Sequence, residues 1–261
     1  MAHARTQWRT PTRRGALSQM AILAAMGIGG GFTAQAQAQQ PAGMRRVCEI
    51  KVKNGGQFDF EEAQKVISAA YKKAGMPNRS VWRSTLFGEY GVYFVSASSK
   101  DYAAFDAGSV LNNVTSAERA RYTTLSQNSV QHQHCWMIQA EPSMSIDSGR
   151  TEPPKYARLL RTTVRPGKRL EFEDMIKTTV VPALKKGGYK DVAYYRSLMG
   201  ATTGEYSSLT MFDKWSDLDA LPSIEKALGS DGYKQYMVKV ANTIDRSETM
   251  VIQYVPELSY R

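Results

Sequence analysis

The sequence predicts an α+β protein: two tandem β-α-β-β-α-β units packed sheet to sheet as an internal pseudo-dimeric barrel. Three observations predict it. Short motifs recur in the same order at an offset of 112 to 116 residues. Strand-like and helix-like patterns alternate in one order within each copy. Each copy is about 100 residues long, the size of one ordinary domain.

The repeated motifs are specific. Val52-Lys53-Asn54-Gly55 with Phe58-Asp59-Phe60-Glu61-Glu62 matches Val164-Arg165-Pro166-Gly167 with Leu170-Glu171-Phe172-Glu173-Asp174. Lys72-Lys73-Ala74-Gly75 matches Lys185-Lys186-Gly187-Gly188, and Trp82-Arg83-Ser84 matches Tyr195-Arg196-Ser197. Gly88-Glu89-Tyr90 matches Gly204-Glu205-Tyr206, and Ile138-Gln139 matches Ile252-Gln253. Repeats of this kind are sought before anything else, because missing them misreads the whole fold.

Each copy opens on an extended segment, Val47–Val52 and Leu159–Val164. Then apolar residues recur at helical spacing: Phe60, Ala63, Ile67, Ala70 and Ala74 in copy one, Phe172, Met175, Ile176, Val180 and Leu184 in copy two. Paired lysines followed by glycine stop both helices. Pro182 predicts a kink or a new turn in the second. Two strands joined by a hairpin follow, Val81–Phe87 with Val92–Ala97 and Val192–Met199 with Ser207–Phe212. The Gly-Glu-Tyr triplets predict that Glu89 and Glu205 lie in the hairpin turns. Further helices are expected over Ala117–Val130 and Tyr233–Thr243, and closing strands over His134–Gln139 and Thr249–Val255. This is the ferredoxin-like split βαβ order. Its helices cover one sheet face, so the bare faces of the two units are expected to bury each other.

Over residues 44–259 the chain resembles the dimeric α+β barrel superfamily, which includes antibiotic-biosynthesis monooxygenase-like, EthD-like and NIPSNAP-like proteins. The repeated element order carries the resemblance, with two details of copy two. The helix Leu170–Leu184 runs into Lys185-Lys186-Gly187-Gly188-Tyr189, and Ser208–Phe212 runs into Asp213-Lys214-Trp215-Ser216-Asp217-Leu218. The resemblance implies sheets enclosing a mostly apolar cavity, in a superfamily of cofactor-free oxygenases, isomerases, haem proteins and members without known activity. It implies no catalytic set that can be carried over to residues here.

The segment 1–38 reads as an export signal. It holds Arg5, Arg9, Arg13 and Arg14 and no acidic residue, then an Ala- and Gly-rich apolar run, then Ala34-Gln35-Ala36-Gln37-Ala38 with two small-residue cleavage sites. Arg13-Arg14 also fits a twin-arginine signal in part. The competing reading is an uncleaved anchor, which the serine, glutamine and glycines of the run make a poor span. The domains are therefore expected at 1–38, 39–150 and 151–261, and the mature protein in the periplasm or outside the cell. Four of the 34 basic residues leave with the signal, so the net charge falls from +10 to +6. The signs are interspersed, so no nucleic-acid partner is expected. No stable membrane span is expected after cleavage, and the oligomeric state is left open.

Few residues invite chemistry. Arg83 and Arg196 recur at equivalent strand positions behind Trp82 and Tyr195. On an inward face an arginine could hold a carboxylate; on the rim it would be solvated. Trp82, Tyr194, Tyr195, Tyr90 and Tyr206 could line a cavity or finish a core. His132 and His134 fall on one strand face, and His134 joins the candidate ligand set. Two histidines fall short of a zinc site, so an ordinary pair at the start of a strand competes with a metal or haem ligand. Cys48 and Cys135 lie on neighbouring strands of copy one and form either a disulfide or two buried thiols. No Walker loop, dinucleotide fingerprint, G-x-S-x-G elbow or H-E-x-x-H is present, and no cofactor or metal is expected. The leading expectation is an exported module binding a small apolar molecule between its sheets. The alternative is a cofactor-free oxygenase or isomerase acting on a hydrophobic aromatic compound.

Overall fold

The computed structural model describes residues 43–106 and 108–261. The expected export signal lies outside them.

Eight antiparallel strands close into one barrel. The first unit contributes β1 (Met44–Val52), β2 (Arg79–Ser84), β3 (Val92–Ser99) and β4 (Val130–Ala140). The second contributes β5 (Tyr156–Val164), β6 (Val192–Met199), β7 (Glu205–Phe212) and β8 (Ile244–Tyr254). Around the barrel the order is β1-β3-β2-β8-β5-β7-β6-β4. Each unit is thus a four-stranded ferredoxin-like sheet, and two seams, β2 with β8 and β4 with β6, join them edge to edge. Closure leaves no strand edge unpaired. The bare faces turn inward and the helices lie outside.

Helix α1 (Gln57–Lys73) and helix α2 (Ser116–Ser129) flank the first sheet. Phe60, Ala63, Ile67, Ala70 and Tyr71 of α1 are buried, as the helical spacing requires. In the second unit the matching helix is broken into α3 (Arg169–Met175), a π turn (Ile176–Val180) and α4 (Val181–Lys186). Pro182 lies in the first turn of α4, directly after the π turn. The offset between the copies rises from 112 at Phe60/Phe172 to 113 at the paired lysines. The extra residue therefore falls within this helix, and a π turn is how a helix absorbs a single inserted residue. Helix α5 (Trp215–Ala220) leads to α6 (Ile224–Thr243), which starts earlier than its sequence pattern and kinks at Gly229 (φ 74°).

The units exchange arms. After β4, Ile146 bridges to Val192 of the second unit; after β8, Tyr260 bridges to Arg79 of the first. Arg79 is buried and bonded to Ser68, Gln64 and the Leu258 carbonyl. Burial pulls its guanidinium down to about 10.

One expected equivalence is corrected. Gly-Glu-Tyr at 88–90 and 204–206 do not occupy matching places. Gly91 (φ 74°) and Gly204 (φ 82°) are the matching turn glycines. Each carbonyl accepts the N–H of the last residue of the unit's first strand, Val52 or Val164. A side chain at Gly204 would press on the Val164 carbonyl at 3.0 Å, in a backbone conformation that favours glycine. The true partner of Tyr206 is Tyr93. Each donates its hydroxyl to a helix glutamate, Tyr93 to Glu61 at 2.7 Å and Tyr206 to Glu173 at 2.6 Å. Glu89 does sit in an exposed loop, but Glu205 is a buried residue of β7.

Candidate functional site

Strand alternation decides what faces the interior. Along β1 the inward residues are Arg45, Val47 and Glu49; along β5 they are Ala157, Leu159 and Arg161. β1 and β5 stand opposite each other in the ring of strands. Equivalent residues of the two units thus meet at the same height across the barrel.

At the end where β1 and β5 finish, the interior is shut by an ion cluster. Arg161 Nη1 donates to Glu49 Oε2 at 2.8 Å, and its Nη2 lies 3.4 Å from Glu205 Oε1. Its guanidinium also lies 5.3 Å from the Trp136 ring centroid, in cation–π range. Glu49 and Arg161 occupy equivalent positions with opposite charge. Glu205 stands where the first unit has Val92, whose side chain packs with Phe94, Leu159 and Ile252.

Toward the other end the barrel holds a cavity of about 660 Å³. Trp82, Phe94, Trp136, Leu159, Ile252 and Tyr254 give it broad apolar walls. Its mouth lies where β1 and β5 begin, beside Asn78, Pro153, Pro154 and Arg261. The first unit's wall carries a cation. Arg45 donates to Ser98 Oγ at 2.9 Å and to Ser96 Oγ at 3.0 Å. Burial lowers the Arg45 pKa, with Tyr195 opposing and Arg261 reinforcing the shift. Tyr195 lines the same space, and burial raises its pKa. The volume falls in the range of small-molecule pockets.

Of the residues singled out from sequence, Trp82 and Tyr195 line this cavity. They are equivalent positions and both face inward. Tyr194 touches the cavity but belongs to the core beneath the second unit's helices, where burial pushes its hydroxyl up to about 12. Arg83 and Arg196 are not lining residues. They sit one residue out of phase, on the outer face, and hold the seams. Arg83 donates to Gln253 Oε1 at 3.2 and 3.1 Å, across β2 and β8. Arg196 donates to Gln139 Oε1 at 3.0 Å across β4 and β6, and to Glu141 at 2.8 Å. The repeated arginines and the repeated Ile-Gln motif are thus two sides of one contact, made twice.

His132 and His134 are exposed on β4, and His134 stacks on Trp136 with centroids 5.5 Å apart. Among the described residues no group of three or more His, Cys, Asp or Glu is arranged to hold a metal ion. Cys48 and Cys135 stand opposite each other in the β1–β4 register and are joined as a disulfide. Sequence reasoning missed Arg45, Glu49, Trp136 and Arg161. The available signal was alternation: Arg45 and Glu49 share the phase of Val47 on β1, and Arg161 shares that of Ala157 and Leu159 on β5.

The fold is shared with solved structures of very low sequence identity. An anthrone oxidase-like protein superposes with a TM-score of 0.57 at 10% identity, over 82% of this chain and 92% of that one. A Fusobacterium nucleatum protein provisionally described as a monooxygenase gives 0.55 at 12%, over 82% and 93%. One from Lactobacillus acidophilus, described in the same terms, gives 0.54 at 7%, over 82% and 94%. No protein-family model and no curated protein matches the sequence.

Proposed function

We propose that the chain binds a hydrophobic aromatic compound inside the barrel and acts on it as a cofactor-free oxygenase. The observation that carries the reading is the cavity, with aromatic walls and a minority of polar groups among its lining. The oxygenase assignment takes its support from the structural neighbours, two provisionally described as monooxygenases and one as anthrone oxidase-like.

Such chemistry asks the substrate itself to supply electrons to dioxygen. An acidic C–H between aromatic rings serves: once the proton is lost, the carbanion reduces dioxygen directly. For a methylene the balance is CH2 plus O2 to C=O plus H2O. Both hydrogens and one oxygen atom leave as water, carbon is oxidised and dioxygen is reduced. The walls would exclude bulk water from the reactive anion. A specific observation favours a second reading, binding without turnover. Glu49 and Glu205, at the end of the interior away from the mouth, are both held by Arg161, and of the acids that line the cavity Asp191 is held by Arg150 and Asp147 lies exposed.

The test is incubation with anthrone under labelled dioxygen. Label in a carbonyl product, absent with denatured protein, supports the oxygenase. Stoichiometric binding with no oxygen uptake overturns it in favour of the binding module.

The same proposal places the protein in the periplasm or outside the cell. The disulfide supports this, because such bonds persist in oxidising compartments. Fractionation of expressing cells checks it: mature protein confined to the cytoplasm would contradict export. No helix among the described residues is long and apolar enough to cross a membrane.

A further inference from the structure

We propose that Arg45 forms an anion subsite at the mouth of the cavity, so that the ligand is an aromatic compound carrying an anionic oxygen group. The proposal rests on the reading of the barrel interior as a ligand cavity, and narrows it.

Among the described residues no carboxylate pairs with Arg45. Its side chain donates to two hydroxyls, Ser96 and Ser98, which hold the guanidinium in place without neutralising it. A guanidinium carries five N–H donors in a rigid fork, so donors remain for a ligand. The neighbouring charges do not supply the missing acid. Asp191 and Asp213 are both engaged by Arg150. Asp147 is exposed and accepts the Gly149 N–H. Arg261 adds positive charge and bonds the Thr151 carbonyl. A cation removed from water without a counter-charge is costly, and an incoming anion relieves that cost.

Comparison of the units shows that this wall is built locally. The equivalents of Arg45, Ser96 and Ser98 in the second unit are Ala157, Leu209 and Met211, all apolar. The cavity is therefore two-sided. One wall offers a charge-assisted bidentate contact; the equivalent positions of the other are apolar, with Ser207 and Arg161 farther along that side. A planar aromatic anion satisfies both walls; a neutral hydrocarbon leaves Arg45 unpaired, and a small inorganic anion leaves the apolar wall bare.

The experiment uses two fluorescent probes with the same aromatic skeleton, the anionic anilinonaphthalene sulfonate and the neutral phenylnaphthylamine. Wild-type protein is expected to bind both, the sulfonate more tightly and with affinity falling as salt rises. Arg45→Met is expected to weaken the sulfonate about tenfold and leave the neutral probe within about twofold. Arg45→Lys should recover part of the loss, because it keeps the charge without the fork. An unchanged ratio of the two affinities in Arg45→Met overturns the subsite while leaving the cavity standing. Failure of wild-type protein to bind the neutral probe overturns the cavity itself. Should Arg45→Met fail to fold, Ser96→Ala and the salt dependence of the wild type decide. A sulfonate affinity indifferent to both contradicts the proposal.

Discussion

The two ends of the barrel are built from the same pairs of equivalent strand positions and do opposite things with them. At the closed end, Glu49 and Arg161 are related by the repeat and carry opposite charges, so they join across the interior. At the open end, Arg45 faces a second unit that offers only Ala157, Leu209 and Met211 at the equivalent places. Complementary charges at equivalent positions make a plug; an unmatched charge leaves a charged wall beside an open space. The outer positions tell a third story. Arg83 with Gln253 and Arg196 with Gln139 stay alike because each seam needs the same contact. Similarity at the seams therefore marks architecture, and charge difference in the interior marks the candidate site.

This comparison can be broken most forcefully at the plug. Arg161→Met strands Glu49 and the buried Glu205, and should cost about 3–5 kcal/mol of unfolding free energy in denaturant titration. Replacing Glu49 and Glu205 as well with apolar residues of similar size should recover most of that loss. A harmless single substitution would show that the ion cluster does not hold the closed end together.

Next in size is the Cys48–Cys135 bond, which closes a separation of 87 residues. Reduction, or Cys135→Ala with Cys48→Ala, should lower stability by about 2–4 kcal/mol, measured against the oxidised protein. Two titratable thiols in the unreduced, denatured protein would contradict the bond. The seams come third. Arg83→Ala and Arg196→Ala should each cost about 0.5–1.5 kcal/mol, and their effects should add, since the seams share no partner. Strong coupling between them would mean that the seams do not act independently.

The smallest effect is a pH dependence. Burial raises the Glu173 pKa, but the Tyr206 hydroxyl and Arg169 outweigh it and hold the carboxyl below its ordinary 4.5. Because the folded value is depressed, this contribution is complete above about pH 4.5 and is lost as pH falls through the folded value. Tyr206→Phe should reduce that acid sensitivity, read as the slope of stability against pH.

Much of the fold was legible because hydrophobic period and repeat order are local signals. The strand β6 begins and ends at the residues its pattern marks, Val192 and Met199. The buried face of α1 is the one its spacing marks as far as Ala70, while Ala74 lies past the helix end and is exposed. The site was less legible. A motif repeated in both units draws attention, and that drew it to Arg83 and Arg196, which hold seams. The triplet Gly-Glu-Tyr misled for a related reason. Three matching letters fell three residues out of spatial register, and only the bond from Val164 to the Gly204 carbonyl identifies the true turn. Glu205 was thereby read as a turn residue when it lies buried beside Arg161. Which charged side chains meet across a closed barrel depends on closure itself, and no local pattern encodes it.

The central claim, that the barrel encloses a working aromatic site, is tested most directly by filling the cavity. Leu209→Trp places a large side chain on the apolar wall, and phenylnaphthylamine binding is then titrated against wild type. Wild-type protein is expected to bind one probe per chain and the filled variant to lose at least about tenfold in affinity, with the fold retained by circular dichroism. Binding that is undiminished in the filled variant would contradict it.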